Sequence, residues 1–340
     1  MRATEETLAD AAQTHPTMRA VVLDRFGGAE ELTTRRVPRP AVRDQDVLIK
    51  VAVAGVGSWD AVERQGHYDG VFGVPSSFPY ILGWDAAGTV AAVGGDVTEF
   101  AVGDRVYAAT MPVPRGGAYA EYVVVAAEHV APLPARVPFE QAGAMAWDAV
   151  TAMSGVDLLE LDRGDSVMVF GASGGVGHMA VQLARHHGLR VLAVASGADG
   201  VELVKSLGAD AAVDGRAEDV FAAAQEFAPG GLDGAIVTAG GEAAERALLA
   251  VKSTGRIAWP NGVTPPPQRT PQATLTTYDG DRSRAGLERL NAIIDSSDFQ
   301  VHIAQSFTLD EVRSAHLALR DHYVGKLALT IGADEGPRPA

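Results

Sequence analysis

The 340-residue sequence contains no cysteine, so its fold holds no disulfide and no metal site built on thiolate ligands. A nucleophilic cysteine is excluded for the same reason. Basic residues are also few: 28 Lys and Arg stand against 43 Asp and Glu, which leaves a formal net charge of −15 at pH 7. A surface of this sign repels nucleic acid and anionic membranes, so we expect neither as a partner.

Long apolar runs are missing as well. No segment approaches the roughly 20 apolar residues that a membrane-spanning helix requires, and the first residues lack the basic and apolar regions of a secretory signal. We therefore expect a cytoplasmic protein in which residues 1–17 form a flexible N-terminal extension or a misassigned start. Because about 150 residues per domain is typical, the length predicts two domains.

The first part of the chain is rich in short strand patterns. Runs of Val, Ile and Ala are separated by Gly, Pro and Asp turns, with little helical periodicity between them. Short strands in this spacing predict a compact, barrel-like domain rather than a parallel sheet. The predicted strands are Arg19–Leu23, Val47–Ala54, Gly88–Val93, Arg105–Ala109 and Tyr119–Val125.

After Pro138, strands and helices alternate instead. An apolar strand over Ser166–Phe170 runs through a glycine-rich turn into a helix over Val176–His187, and further strand–helix units follow. This alternation predicts an α/β architecture, a doubly wound parallel sheet with helices on both faces. The Pro-rich stretch Thr264–Pro271 suits neither a helix nor a central strand and marks a boundary. Beyond it, Leu327–Ile331 is predicted to be a closing strand.

The glycine-rich turn carries the strongest functional signal. Its sequence is GASGGVG, placed between a strand and a helix as a dinucleotide-binding motif requires. Gly174 would allow a diphosphate to approach the backbone amides at the helix N-terminus, and Gly177 would let the helix pack on the sheet. A plain structural turn is the alternative. The predicted diphosphate-binding residues are Ala172, Ser173, Gly174, Gly175, Val176 and Gly177.

The residues after the next strand indicate which dinucleotide is bound. An NAD site usually places an acid at this point, where it holds the ribose 2′-hydroxyl and repels a 2′-phosphate. Here the strand ends in Ala195-Ser196-Gly197, and both Ser196 and Arg216 could contact a phosphate. NADPH is therefore favoured, although Asp199 lies close by in the sequence and leaves NADH open.

Several longer segments carry a family resemblance: GWDAAG, GDRVYA, GGAYAEYVVV, VMVFGASGGVG and GKLAL. On these segments the chain resembles the medium-chain dehydrogenase/reductase superfamily, specifically its zinc-free quinone oxidoreductase (zeta-crystallin-like) branch, over residues 18–332. The resemblance implies a GroES-like β-barrel catalytic domain over residues 18–140 and a Rossmann NADPH-binding domain over residues 141–276. It also implies a return to the catalytic domain over residues 277–335, an active cleft between the domains, and a homodimer.

The same resemblance bears on metal binding. The zinc ligands of the superfamily's alcohol dehydrogenases would fall near Gly57, Trp84 and Trp147, and none of these side chains binds zinc. We therefore expect no metal, and an acceptor that is already activated. A quinone or an α,β-unsaturated carbonyl qualifies, because conjugation disperses the developing charge. Trp84 and Trp147 either form an apolar substrate wall or serve packing alone.

The resemblance also implies roles for individual residues. Tyr68 would line the cleft and either donate a proton or act only as an aromatic wall. Asp60 matches a catalytic-domain acid that contacts substrate or cofactor, or it caps the helix that follows. Thr151 would lie beside the nicotinamide or bond its own helix backbone, and Lys326 would contact the diphosphate or remain a solvated surface charge. The nicotinamide half is implied to lie against Thr238, Gly240, Pro260 and Asn261.

Together these patterns predict a zinc-independent NADPH oxidoreductase that acts on a quinone or an α,β-unsaturated carbonyl. Protein groups would mainly position the reactants, and the proton would come from solvent or from Tyr68. Two other classes fit the same residues. One is a tailoring ketoreductase or dehydrogenase on a bulky secondary metabolite, and the other is a non-enzymatic NADPH-binding protein.

Overall fold

The computed structural model describes residues 16–71, 73–268 and 273–332, so most of the predicted extension 1–17 lies outside the described residues. The strands within these ranges are β1 (Thr17–Val22), β2 (Thr33–Pro38), β3 (Asp46–Val56), β4 (Asp85–Val93), β5 (Arg105–Ala109), β6 (Tyr122–Ala126), β7 (Val130–Pro132), β8 (Ser166–Phe170), β9 (Arg190–Ala195), β10 (Ala211–Asp214), β11 (Leu232–Val237), β12 (Val251–Pro260), β13 (Thr274–Tyr278), β14 (Ile303–Thr308) and β15 (Lys326–Thr330). The α-helices are α1 (Ser58–Arg64), α2 (Pro112–Arg115), α3 (Phe139–Ala142), α4 (Ala146–Leu158), α5 (Gly175–His187), α6 (Gly197–Ser206), α7 (Val220–Phe227), α8 (Glu242–Leu248), α9 (Arg284–Asp295) and α10 (Val312–Ala318). No helix among the described residues has both the length and the apolar character needed to cross a bilayer.

The strands of the N-terminal part form a mostly antiparallel sheet around β3. This strand pairs in the antiparallel sense with β4, β6 and β15, and the sheet runs β14–β15–β3–β4–β5–β7. Alternate side chains of β3, those of Val47, Ile49 and Val51, are buried in one apolar core. The strand-rich domain predicted from the sequence is confirmed, and two of its strands, β14 and β15, come from the C-terminal part of the chain.

The second sheet is parallel throughout, with the order β10–β9–β8–β11–β12–β13. Its central strand β8 is buried along its whole length. Val167 and Val169 face one apolar cluster, whereas Met168 and Phe170 face another. A strand buried on both faces is typical of a parallel sheet covered by helices. The doubly wound sheet predicted from the strand–helix alternation is therefore confirmed.

Two elements depart from the sequence prediction. Strand β13 follows the Pro-rich stretch yet pairs in parallel with β12, so this stretch is a connection within the parallel sheet rather than its end. The sheet reaches Tyr278, past the predicted limit at residue 276, and the domain limits themselves stay a prediction. The sequence did not predict helix α4. Nearly every side of this helix is buried, so its sequence has no polar face and shows no amphipathic helical pattern.

The turn between β8 and α5 requires glycine at two positions. Gly171 has a φ of +82°, a conformation that favours glycine because other residues clash there. A Cβ placed on Gly177 would lie 2.1 Å from the carbonyl oxygen of Gly171. Helix α5 can therefore begin this close to the end of β8 only with glycine at residue 177. The contact agrees with the packing role predicted for Gly177.

We expect Leu329→Ala to lower the free energy of unfolding by about 2–5 kcal/mol, because it opens a cavity in the core. Leu329 is fully buried on β15, opposite Ala54 of β3 and Phe307 of β14. Urea unfolding followed by circular dichroism measures the change. The matched control is Leu317→Ala, since Leu317 is 51% exposed on α10. Equal losses in the two variants would contradict the role given to β15.

Candidate functional site

A cleft of about 970 Å³ lies between the strand-rich domain and the parallel sheet. Helix α1 and the residues after it line one side, and the turn between β8 and α5 lines another. Residues 321–323, 325 and 326 also contribute to the lining. Much of the predicted site is thus brought together. The predicted residues that line the cleft are Tyr68, Ser173, Gly174, Gly175, Val176, Ser196, Arg216, Thr238, Gly240, Pro260 and Lys326.

Other predicted site residues lie beside the cleft rather than on its lining. Ala172 is fully buried, and its N–H donates to the carbonyl oxygen of Val194 at 2.8 Å. Thr151 is buried within α4. Asn261 accepts a hydrogen bond through Oδ1 from Thr277 Oγ1 at 2.7 Å. The cofactor contacts predicted for these residues stay predictions.

The N-terminus of α5 opens onto the cleft. Gly174 is the N-cap residue in an extended conformation, and Gly175 begins the helix. The first N–H groups of a helix have no partner within it, so this turn presents donors to an anion. A Cβ on Gly174 would meet only the carbonyl oxygen of Gly171, at 3.5 Å. The approach to these amides is therefore unobstructed, as a diphosphate site requires.

Ser196 and Arg216 follow the neighbouring parallel strands β9 and β10 and meet at one end of the cleft. The backbone N–H of Ser196 donates to Ser173 Oγ at 3.1 Å, which ties this end to the glycine-rich turn. The Ser196 hydroxyl is buried and has no hydrogen-bond partner among the described residues. A buried hydroxyl is costly to leave unpaired, so this position fits a ligand that can accept or donate a hydrogen bond.

Lys326 is buried at the start of β15, with only 3% of its surface exposed. Its Nζ lies 2.7 Å from Asp148 Oδ2 and 3.8 Å from Asp85 Oδ2. Burial disfavours the ammonium ion, but these two carboxylates more than offset it and raise the pKa of Lys326. The surface-charge alternative for Lys326 is therefore wrong. Contact with a diphosphate stays a prediction, supported by the position of Lys326 on the cleft lining.

Asp60 is buried beneath the first turn of α1. Its Oδ2 accepts a hydrogen bond from the N–H of Gly57 at 2.8 Å, so it satisfies the N-cap amide from the third helical position. Asp60 therefore does cap α1, but from within the helix rather than as the residue before it, and its contact with substrate or cofactor stays a prediction. Burial, and then the charge of Glu63, raise the pKa of Asp60 to about 8.

Glu63 is a buried carboxylate that the sequence interpretation missed. One oxygen accepts from the Tyr80 hydroxyl, and the other accepts from Trp84 Nε1 at 2.6 Å. Burial raises the pKa of Glu63 to about 7, although both hydrogen bonds act in the opposite direction. This carboxyl therefore fixes Trp84 relative to α1.

Four aromatic side chains form a row from the cleft into the interior. The ring centroids of Trp59 and Tyr68 are 6.4 Å apart, those of Tyr68 and Trp84 6.0 Å, and those of Trp84 and Trp147 5.3 Å. Trp59 and Tyr68 line the cleft, whereas Trp84 and Trp147 continue the row beside it. Trp84 and Trp147 therefore lie behind Tyr68 rather than on the cleft lining, and the substrate wall predicted from them stays a prediction. Trp59 is the residue that the sequence interpretation missed.

Tyr68 is half-buried within this row. Burial, and then the negative charges of Glu63 and Asp60, raise the pKa of Tyr68 to about 12. The phenol is therefore protonated at neutral pH and can donate a proton or a hydrogen bond into the cleft.

The ends of the later parallel strands complete the lining. Thr238 follows β11, and its Oγ1 lies within hydrogen-bond distance of the carbonyl oxygens of Phe170 (3.0 Å) and Gly171 (3.1 Å). Pro260 ends β12, and a Cβ on Gly240 would lie 2.0 Å from the carbonyl oxygen of Pro265. These residues lie at the carboxyl ends of parallel strands, where ligands bind in open α/β sheets.

Asp85, Asp148 and His322 are further residues that sequence reasoning missed. A signal for the two acids is present, because each directly follows a tryptophan of the predicted wall, as Trp84-Asp85 and Trp147-Asp148. His322 carried no comparable signal. In the described ranges, no group of three or more His, Asp or Glu side chains is arranged to hold a metal ion.

Two family models match the chain. The model described as "Alcohol dehydrogenase GroES-like domain" matches residues 43–135, within the strand-rich domain. The model described as "Zinc-binding dehydrogenase" matches residues 175–276, from the start of α5 into β13. The two matches therefore divide between the two sheets.

The chain is similar to several characterised proteins. It is 31% identical to the NADPH-dependent alkenal/one oxidoreductase of Arabidopsis thaliana, over 92% of this chain and 79% of that protein. It is 38% identical to the quinone oxidoreductase of Homo sapiens, over 56% of this chain and 57% of that protein. A mycobacterial structure solved with NADPH superposes with a TM-score of 0.80 at 28% identity, over 92% of this chain and 99% of the other.

We expect the free energy of unfolding of the wild type to fall relative to that of Asp60→Asn as pH rises from about 5 to about 8. The folded protein holds a proton on Asp60 up to about pH 8, whereas the unfolded chain loses it near pH 4. The stabilisation is therefore complete below the unfolded pKa and is lost as pH rises toward the folded pKa, by up to about 1.4 kcal/mol per pH unit for each proton.

Urea unfolding of the wild type and Asp60→Asn across this range measures the two slopes. Asparagine keeps an oxygen that can accept from Gly57 N–H, so the cap survives. The matched control is Asp298→Asn, because the Asp298 side chain is 99% exposed. Parallel curves for the wild type and Asp60→Asn would contradict the assignment of a proton to Asp60.

Proposed function

Because this chain belongs to the medium-chain dehydrogenase/reductase superfamily, in its quinone oxidoreductase branch, we propose that it is a zinc-independent NADPH oxidoreductase. Its acceptors are quinones and α,β-unsaturated carbonyls. The observation that carries the proposal is the cleft itself. It places an open helix N-terminus opposite an aromatic row, as hydride transfer between a dinucleotide and a conjugated acceptor requires.

The residues of the cleft fit a dinucleotide. Gly174 leaves the first amides of α5 open to a diphosphate, and Lys326 lies beside them, its Cδ being 2.9 Å from where a Cβ on Gly175 would stand. The unpaired Ser196 hydroxyl and the Arg216 guanidinium supply donors for a 2′-phosphate. These groups support NADPH over NADH. When bound, the nicotinamide supplies a hydride.

The protein groups contribute position and electrostatics. Trp59 and Tyr68 offer aromatic rings to the cleft against which a conjugated acceptor can pack. Positions 57, 84 and 147 carry Gly, Trp and Trp, a set with no metal-binding side chain. The acceptor must therefore disperse its own negative charge, which conjugation with a carbonyl or quinone allows.

A proton is needed at the end of the reaction. Reduction at the β-carbon of an enone leaves the α-carbon to be protonated, and the phenol of Tyr68 is protonated at neutral pH. Tyr68 or solvent supplies that proton. A quinone differs, because its product carries charge on oxygen, which solvent protonates readily.

Assembly and location are proposed on the sequence and the family resemblance. A homodimer would use the exposed edge of the parallel sheet at β13, which has no further strand beside it among the described residues. The expected cytoplasmic location rests on the sequence alone.

We expect the purified protein to oxidise NADPH in the presence of 1,4-benzoquinone or an enone, and only slowly with a simple saturated ketone. The reason is that Gly57, Trp84 and Trp147 offer no metal-binding side chain where a Lewis acid would polarise an isolated carbonyl. Loss of NADPH absorbance with the three acceptors in parallel measures the preference. Fast reduction of the saturated ketone would favour a ketoreductase. NADPH binding without oxidation by any acceptor would favour a binding protein.

We expect Tyr68→Phe to lower kcat for the enone by about a hundredfold, the usual scale of general acid catalysis, with the KM for NADPH unchanged. The rate with 1,4-benzoquinone should change little, because solvent protonates that product. The matched control is Tyr122→Phe, since Tyr122 lies in β6 and does not line the cleft. An unchanged enone rate would assign the proton to solvent.

A further inference from the structure

His322 lies between α10 and β15 and reaches the parallel-sheet side of the cleft. Its Nε2 is 2.9 and 3.0 Å from the two carboxylate oxygens of Asp199 in α6. A Cβ added to Gly197, the first residue of α6, would lie 3.2 Å from the same nitrogen. The imidazole therefore lies against the turn between β9 and α6, next to Ser196.

The two members of this pair face different spaces. His322 lines the cleft together with Ser196 and Arg216, whereas Asp199 lines a neighbouring groove. With Nε2 bonded to Asp199, Nδ1 is the ring nitrogen left to bond a ligand in the cleft. The hydrogen bond from His322 lowers the pKa of Asp199. A carboxylate only accepts hydrogen bonds, so Nε2 is the donor in this pair, and a phosphate bound at Nδ1 favours a second proton on the ring because the ring then faces an anion on each side.

Resting on the proposed function, we propose that His322 is a binding residue for the 2′-phosphate of NADPH. It donates from Nδ1 beside the Ser196 hydroxyl and the Arg216 guanidinium, and Asp199 is its positioning residue. An acid at this end of a Rossmann sheet normally favours the 2′-hydroxyl of NAD and repels a phosphate. Here Asp199 lines the neighbouring groove and bonds His322, so the acid positions a donor toward the cleft.

The surrounding carboxylates show why a further donor is needed. Asp214 Oδ1 accepts from the N–H groups of Gly197 and Arg216, both at 3.0 Å. Asp321 lines the cleft next to His322 in the chain, and Asp199 bonds the imidazole from the neighbouring groove. These carboxylates disfavour a phosphate, so the donors that face it must offset them. His322 adds a donor to those of Arg216 and Ser196.

Binding of 2′,5′-ADP and 5′-AMP, measured by isothermal titration calorimetry, tests the proposal without catalysis. The two ligands differ only in the 2′-phosphate. We expect the wild type to prefer 2′,5′-ADP, and His322→Gln to weaken 2′,5′-ADP binding about tenfold while 5′-AMP binding changes by less than about twofold. Adding Asp199→Asn to His322→Gln should restore part of the loss, because the Asp199 carboxylate that repels the phosphate is then removed.

The matched control is His186→Gln, since His186 is exposed near the C-terminal end of α5. If His322→Gln weakens both ligands equally, or neither, while the wild type still prefers 2′,5′-ADP, then His322 does not bind the 2′-phosphate. The NADPH proposal survives that result. If the wild type binds the two ligands equally, the NADPH assignment fails, and the role of His322 fails with it.

Discussion

The cleft is organised around one buried ammonium group. Lys326 lies at the start of β15, and its Nζ meets Asp148 of α4 and Asp85 of β4. A single cation thus joins β15, strand β4 of the same mostly antiparallel sheet, and helix α4 of the other domain. A Cβ on Gly175 would lie 2.3 Å from Asp148 Oδ2, so the N-terminus of α5 rests directly against this ion pair. Removing one partner of such a buried pair leaves an uncompensated charge, which is strongly destabilising.

A second group of buried acids sets the aromatic side of the cleft. Asp60 holds the first turn of α1 closed, and Glu63, one turn later, binds Tyr80 and Trp84. Burial raises the pKa of both carboxyls, so these two groups lower the free energy of unfolding near neutral pH. Glu63 holds Trp84, and Trp84 packs against Tyr68. The charges of the two acids also help to keep the Tyr68 hydroxyl protonated. The chemistry proposed for the cleft therefore depends on polar groups that do not themselves line it.

The parts of the site that sequence alone predicts are those set by local patterns. The turn from Gly171 to Gly177 follows from glycine spacing between a strand and a helix, and Ser196 follows from its place after the next strand. The Lys326 ion pair could not be predicted, because it joins residues far apart in the chain whose burial is a tertiary property. Helix α4 was missed because it lacks an exposed face, and β13 because the Pro-rich stretch before it resembles a boundary. His322 was not predicted, because no motif marks the residues around it.

A crystal structure of the protein with bound NADPH tests the central claim most directly. The diphosphate should lie over the amides at the start of α5 with Lys326 still bonded to Asp148, the 2′-phosphate at Ser196, and the nicotinamide facing Tyr68. A dinucleotide bound outside this cleft, or a Lys326 side chain turned away from both carboxylates, would contradict it.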